Sequence, residues 1–246
     1  MYSRAFRTPS AAIPTKRQKM RGKFITFEGG EGTGKSTQAG LLVHKLESLG
    51  LRVLLTREPG GSPGAEIIRH VLLSGAAKPL GADAEAMLFA AAREDHVRCT
   101  IEPALAAGKW VVCDRFADST RVYQGALGRV DRRLIKVLER VSIGDLLPDL
   151  TLILDVPVDV ALERRALRRG DAAPDRFEAE NVEFHEKLRE AFRALAIDEP
   201  ERCVIIDASL PRVQVAKDIW DTVQAKLDPA TAPLAQDVLA PENLVS

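Results

Sequence analysis

The sequence predicts an α/β fold in three layers, a five-stranded parallel sheet with helices on both faces. Three observations predict it. Short apolar runs recur along the 246 residues, with helical periodicity between them. Three of these runs end in an aspartate: Trp110-Val111-Val112-Cys113 before Asp114, Leu150 to Leu154 before Asp155, and Cys203-Val204-Ile205-Ile206 before Asp207. Strands that are apolar on both faces need cover on both, and parallel neighbours need long right-handed crossovers. The length suits one domain with a sizeable core.

The elements follow in order. The first strand is Phe24-Ile25-Thr26-Phe27, followed by a glycine-rich turn. A helical pattern runs from about Lys35 to Leu49 and is closed by Gly50. The second strand, Arg52 to Thr56, leads into Arg57-Glu58-Pro59-Gly60-Gly61. Ala65 to Leu73 reads as a short helix. Asp83 to Ala107 reads as one long helix, opened by an aspartate cap, ended before Gly108 and kinked at Pro103. The three aspartate-terminated strands complete the sheet. Ligands of such sheets bind beyond the carboxyl ends of the strands, so the polar clusters after residues 27, 56, 113 and 154 converge on one rim.

Residues 22–227 are expected to form the domain, and the ends to lie outside it. Residues 1–21 are basic, with no acid before Glu28. A transit peptide is one reading of this leader. Pro9 and Pro14 interrupt an amphipathic helix and favour a disordered tail or an upstream start codon. Residues 228–246 are rich in Pro and Ala, lack basic residues and read as a loose tail. Lysine plus arginine equals aspartate plus glutamate, at 35 each, which argues against a nucleic-acid coat or a polybasic membrane binder. No run of 18 apolar residues exists, so no membrane span is expected. Cys99, Cys113 and Cys203 have no C-x-x-C spacing, which points to the reducing cytoplasm and away from a zinc site.

Gly29-Gly30-Glu31-Gly32-Thr33-Gly34-Lys35-Ser36 fits G-x-x-x-x-G-K-[ST], between a strand and a helix. This is a P-loop, which makes the fold class a P-loop NTPase α/β/α sandwich. Its glycines let backbone N–H groups wrap phosphates, and the following helix adds its positive end. Lys35 is expected on the β- and γ-phosphates of ATP, the Ser36 hydroxyl on magnesium, and Thr37 beside them. A chance glycine-rich turn would not come with strand, loop and helix in register. No N-K-x-D motif is present, which argues against a GTPase.

Four further features accompany the loop. They are Thr56-Arg57-Glu58-Pro59-Gly60-Gly61 with Arg69 on the next helix, Met87-Leu88-Phe89-Ala90-Ala91-Ala92-Arg93, Asp114-Arg115-Phe116 followed by Asp118-Ser119-Thr120-Arg121-Val122-Tyr123-Gln124-Gly125, and Arg164-Arg165 with Arg168-Arg169. Phe89 and Arg93 stand four apart and share a helix face. Alone, Phe89 would read as core, and the arginines as a solvated face.

Together these motifs resemble thymidylate kinase of the bacterial type, over roughly residues 23–210. The resemblance implies a nucleoside monophosphate kinase fold with a helical lid at about 164–177, ATP and dTMP as substrates, magnesium, and a homodimer. It places Phe89 on the thymine ring, and Arg93, Ser119, Thr120 and Gln124 around the base. Tyr123 would crowd the sugar 2′ position, and Glu31 would meet the 3′-hydroxyl. Arg57, Arg69 and Arg115 would hold the acceptor phosphate, where cations relieve repulsion between two anions. Arg115 also has Asp114 as a salt-bridge partner within reach. Asp114 would hold magnesium through water, with Glu58 as a further residue to orient water or metal. The catalytic set is Lys35, Asp114, Arg115 and the lid arginines Arg165 and Arg169. Arg176 and Phe177 would open the next helix. The competing readings are a kinase for another monophosphate, a regulatory NTPase, and nucleic-acid binding by the arginine cluster. The last is weakened by the balanced charge.

Overall fold

The computed structural model describes residues 21–169, 177 and 180–231, without the side chains of Arg168, Arg169 and Thr231. The leader up to residue 20, the lid loop 170–176 and the tail from 232 thus lie outside the described residues.

Strand β1 (Phe24–Glu28) is buried at every position, as a strand covered on both faces must be. It sits at the centre of five parallel strands in the order β2-β3-β1-β4-β5, where β2 is Val53–Arg57, β3 Trp110–Asp114, β4 Leu150–Asp155 and β5 Cys203–Asp207. Phe24 to Phe27 pair with Val111 to Asp114, and Ile25 to Glu28 with Leu150 to Ile153. The chain leaves β1 toward β2 on one side and leaves β3 toward β4 on the other, so a crevice opens beyond the carboxyl ends of β1 and β3.

Alternation along β1 builds two cores. Ile25 and Phe27 pack with Leu46, Leu152 and Ile219, under α1 (Lys35–Ser48) and α9 (Arg212–Leu227). Phe24 packs on the other face with Ile101, Leu105 and Phe116. The Phe24 and Phe116 rings meet edge to face, centroids 4.9 Å apart. A third cluster joins Tyr123 and Ile153 to Leu188 and Phe192 of α8 (Val182–Asp198).

Several boundaries differ from expectation for physical reasons. The long helix is three pieces: α3 (Gly81–His96), a wide π turn (Val97–Ile101) and α4 (Glu102–Ala106). Pro103 has no N–H for the carbonyl four residues back, so the ladder widens just before it. Asp83 lies in the first turn of α3 rather than at its cap. Helix α2 (Pro63–Leu73) begins at Pro63, where Asp95 reaches across to accept from Ser62 Oγ (2.7 Å) and the amide of Gly64 (2.9 Å). Strand β2 extends to Arg57 because Arg57 still pairs with Asp114. Segment Ala117–Thr120 is a helical turn, α5, that runs into a second π turn, Arg121–Leu127. Helix α6 spans Arg132–Ile143 and α7 spans Val158–Arg169. Arg176 lies outside the described residues, and Phe177 precedes helix α8 in a turn. Asn181 caps that helix, accepting from Phe184 N at 2.8 Å. The tail begins as a 3-10 turn, Pro229–Thr231, with Pro229 buried.

Candidate active site

The P-loop starts where β1 ends. Gly29 has φ 126° and Gly32 φ 79°. A Cβ would stand 2.6 Å from the Leu154 carbonyl at Gly29 and 2.2 Å from that of Ala161 at Gly32, so no side chain fits either place. Thr33 Oγ1 braces the loop by donating to Gly30 O at 3.0 Å. The buried Lys35 ammonium donates to the carbonyls of Gly29 (3.1 Å) and Gly30 (2.6 Å). Burial, then Arg115, pushes its pKa down to about 8. Ser36 Oγ donates to Asp114 Oδ2, which sets two hard oxygens side by side where the loop meets α1.

An open cavity of about 500 Å³ faces this loop. Glu31, Gly32, Gly34, Lys35, Ser36 and Thr37 form one wall. Arg57, Glu58, Arg69, Phe89, Asp114, Arg115, Ser119, Thr120, Tyr123 and Gln124 line the cavity as well, with Arg164 and Phe177. The lining carries five cations (Lys35, Arg57, Arg69, Arg115, Arg164) against three carboxylates (Glu31, Glu58, Asp114), so it suits anions. The clusters after residues 27, 56 and 113 thus line one cavity, whereas Asp155, after residue 154, pairs with Arg189 and Arg193 instead.

Arg115 links the two halves of the cavity. Its backbone is left-handed, φ 71°, a strained conformation for a residue with a side chain. Its N–H is held by Phe27 O at 2.9 Å. Its guanidinium donates to Gly29 O (3.0 Å), Ser119 Oγ (3.3 Å) and Glu31 Oε1 (2.8 Å), and lies 5.2 Å over the Tyr123 ring. Its ion pair is with Glu31, while the neighbouring Asp114 accepts from Ser36 instead. Tyr123 Oη donates to the same Glu31 oxygen at 2.6 Å. Burial raises the Glu31 pKa, but Arg115, Lys35 and Tyr123 outweigh it and hold the carboxyl below its usual range.

Several expected site residues have other partners. Arg93 is buried below the cavity, bound to Glu58 Oε2 (2.8 Å), Thr120 Oγ1 (3.0 Å) and Phe116 O (3.2 Å). The other oxygen of Glu58 faces His96 Nδ1 at 3.1 Å, so each Glu58 oxygen has a protein partner while the residue also lines the cavity. Ser119 lines the cavity and donates its Oγ–H to Glu28. Arg57 pairs with Glu66 at 3.0 Å, and Arg69 donates to Pro59 O, both at the cavity mouth. Of the lid arginines, Arg164 lines the cavity and donates to Ala208 O at 2.7 Å, whereas Arg165 turns to His185 Nε2 at 3.2 Å. The side chain of Arg169 lies outside the described residues.

Sequence reading missed Glu28 and His185. Glu28 is fully buried and accepts from Phe116 N (2.8 Å), Ser119 N (3.1 Å) and Ser119 Oγ (2.6 Å). It therefore fixes the loop that carries Arg115. Burial, then the nearby Asp118, pushes its pKa up to about 7. A carboxylate ending a central apolar strand was the available signal.

A family model described as thymidylate kinase matches residues 27–219. The chain belongs to the thymidylate kinase family. Every residue lining the cavity, from Glu31 to Phe177, falls within that match. A thymidylate kinase of Bradyrhizobium sp. (strain BTAi1 / ATCC BAA-1182) is 60% identical over 222 residues, covering 90% of this chain and 98% of its own. One of Nitrobacter winogradskyi is 63% identical over 210 residues, covering 85% and 91%. The crystal structure of thymidylate kinase from Ehrlichia chaffeensis superposes with a TM-score of 0.66 at 34% identity, covering 83% of this chain and 99% of that one.

Proposed function

We propose that this chain transfers the γ-phosphate of ATP to dTMP, giving dTDP and ADP. One observation carries the reading: Arg115 joins the P-loop, through Gly29 and Glu31, to the Tyr123 end of the same cavity. A group so placed can meet both phosphates at once. The triphosphate would lie on the Gly29–Ser36 loop with Lys35 on its β- and γ-oxygens. Lys35 would exchange its loop carbonyls for phosphate, whose negative charge would favour the ammonium form.

Phe89 would stack on the base, whose polar edge would meet Thr120 and Gln124, with Arg93 behind Thr120. Tyr123 and Glu31, already bonded to each other, would take the sugar. Arg57, Arg69 and Arg115 would take the acceptor phosphate. Its oxygen is ionised at neutral pH, so no strong base is needed, and transfer is direct and in line. Catalysis then rests on position and charge. Arg165 and Arg169 remain our candidates for the lid.

Magnesium fits the donor set. Ser36 and Asp114 offer adjacent hard oxygens, and no cluster of three or more His, Cys, Asp or Glu among the described residues competes as a cage. An ion there would draw its other ligands from phosphate and water, as magnesium prefers. Bound, it would neutralise charge on the phosphates.

We also place residues 22–227 in one kinase domain, and the chain in the cytoplasm as a homodimer. Exposed Ile67 and Val71 on α2 (Pro63–Leu73), Leu80 and Met87 at α3, and Val137 and Val141 on α6 give an apolar face on three adjacent helices.

A coupled ADP-release assay with ATP, magnesium and a panel of monophosphates tests the reading. Turnover strongest with dTMP, weaker with dUMP and slight with UMP, dCMP, dAMP and dGMP is expected. A maximum with another monophosphate would overturn the pocket, and ADP release indifferent to every acceptor would overturn the kinase.

A further inference from the structure

The two oxygens of Glu31 are unequally served. Tyr123 and Arg115 both donate to Oε1. Oε2 is shut off from solvent and has no hydrogen-bond partner. A buried acceptor without a donor is unfavourable, and native structures rarely leave one so.

His185, on α8, stands next to it. Its Nδ1 lies 3.9 Å from Glu31 Oε2, and the ring is buried. Its other nitrogen, Nε2, lies 3.2 Å from NH1 of Arg165 on α7. A guanidinium donates and never accepts, so Nε2 must be the acceptor. The one proton of a neutral imidazole is then on Nδ1, the nitrogen beside Glu31. Burial lowers the His185 pKa against the pull of Glu31 and of the Glu180 backbone carbonyl and carboxylate, and the net lowering favours that neutral ring. Glu31 and His185 also border a cavity of about 30 Å³ behind the P-loop. It has room for one bridging water.

We propose that His185 is a positioning residue for the acceptor side of the site, its Nδ1–H directed by Arg165 and holding Glu31 Oε2. The chain Arg165–His185–Glu31 then joins α7 to the carboxylate that Tyr123 and Arg115 share. The proposal rests on the reading of Glu31 as part of the acceptor pocket.

Calorimetric binding of dTMP without ATP tests it in a double-mutant cycle of His185→Phe and Glu31→Gln. His185→Phe keeps the ring volume and removes the N–H. It is expected to weaken dTMP binding roughly 3- to 10-fold, the range of one hydrogen bond. The KM for ATP should stay unchanged, and His185→Asn, whose amide can both accept and donate, should recover most of the loss. In the Glu31→Gln background the Phe substitution should add little. Equal weakening in both backgrounds, or none in either, overturns the role of His185 alone. Unchanged dTMP binding in Glu31→Gln by itself removes Glu31 from the pocket and the proposal with it. The native protein gives a second test that needs no variant to fold. With four histidines in the chain, the ring nitrogens can be assigned by NMR. A proton on Nδ1 of His185 is expected, and one on Nε2 overturns the proposal.

Discussion

Arg115 and Glu28 are the residues whose chemistry is most open to test. Arg115 serves three acceptors at once from one planar fork. A lysine has the charge but not the fork, so Arg115→Lys should behave much like Arg115→Ala. Both should lower kcat ~100-fold or more, the cost of losing one charge-stabilising donor. Steady-state kinetics at saturating ATP and dTMP would check this, and near-normal turnover in the lysine variant would rule out the fork. Glu28 makes a pH prediction. Its folded pKa, about 7, lies above the ordinary 4.5. The folded state therefore binds more protons than the unfolded one between those values. The stability this group contributes is full below pH 4.5 and is lost as pH rises through 7. Glu28→Gln has no such dependence, and its amide still accepts from the loop and donates to Ser119. Relative to this variant, wild type should lose Tm as pH rises from 4.5 through about 7, between the two pKa values. A constant difference in Tm would contradict the shift.

At the scale of elements, the segment from Ala117 to Leu127 carries Ser119, Thr120, Tyr123 and Gln124 of the cavity lining and is pinned from outside. Asp118 is buried and takes both arms of Arg202, at 2.7 and 2.8 Å. Arg121 joins Asp118 to Glu139 of α6 and to Glu199 just after α8. Asp118→Asn leaves Arg202 without its buried counter-charge. It should cost about 3 kcal/mol or more, read by denaturant unfolding. Because Ser119 and Thr120 follow directly, dTMP binding should weaken as well. The two π turns belong to this scale too. Pro103 was visible in the sequence, and so was a disturbance of the helix there. The turn after Thr120 carries no proline or glycine signal before Gly125. It forms where Tyr123 and Val122 pack on Leu188 and Phe192, contacts made across the fold.

For the whole molecule, the apolar face on α2, α3 and α6 predicts association. Val141→Glu should shift the protein toward a monomer at micromolar concentration in analytical ultracentrifugation, since a buried charge at such a face finds no partner. An unchanged mass would remove this face as the interface. The sequence by itself determined the order of strands and helices, the P-loop and the identity of nearly every cavity residue. Those signals are local: apolar runs, glycines where no Cβ fits, and motifs of a few adjacent residues. Only the tertiary structure decided how the charged groups pair. Arg93 with Glu58, Arg115 with Glu31, Glu28 with Ser119 and His185 with Arg165 are joined across 20 to 91 positions of chain. Such pairings depend on how strands align and on which way a left-handed residue turns its side chain, and no periodicity or spacing encodes them.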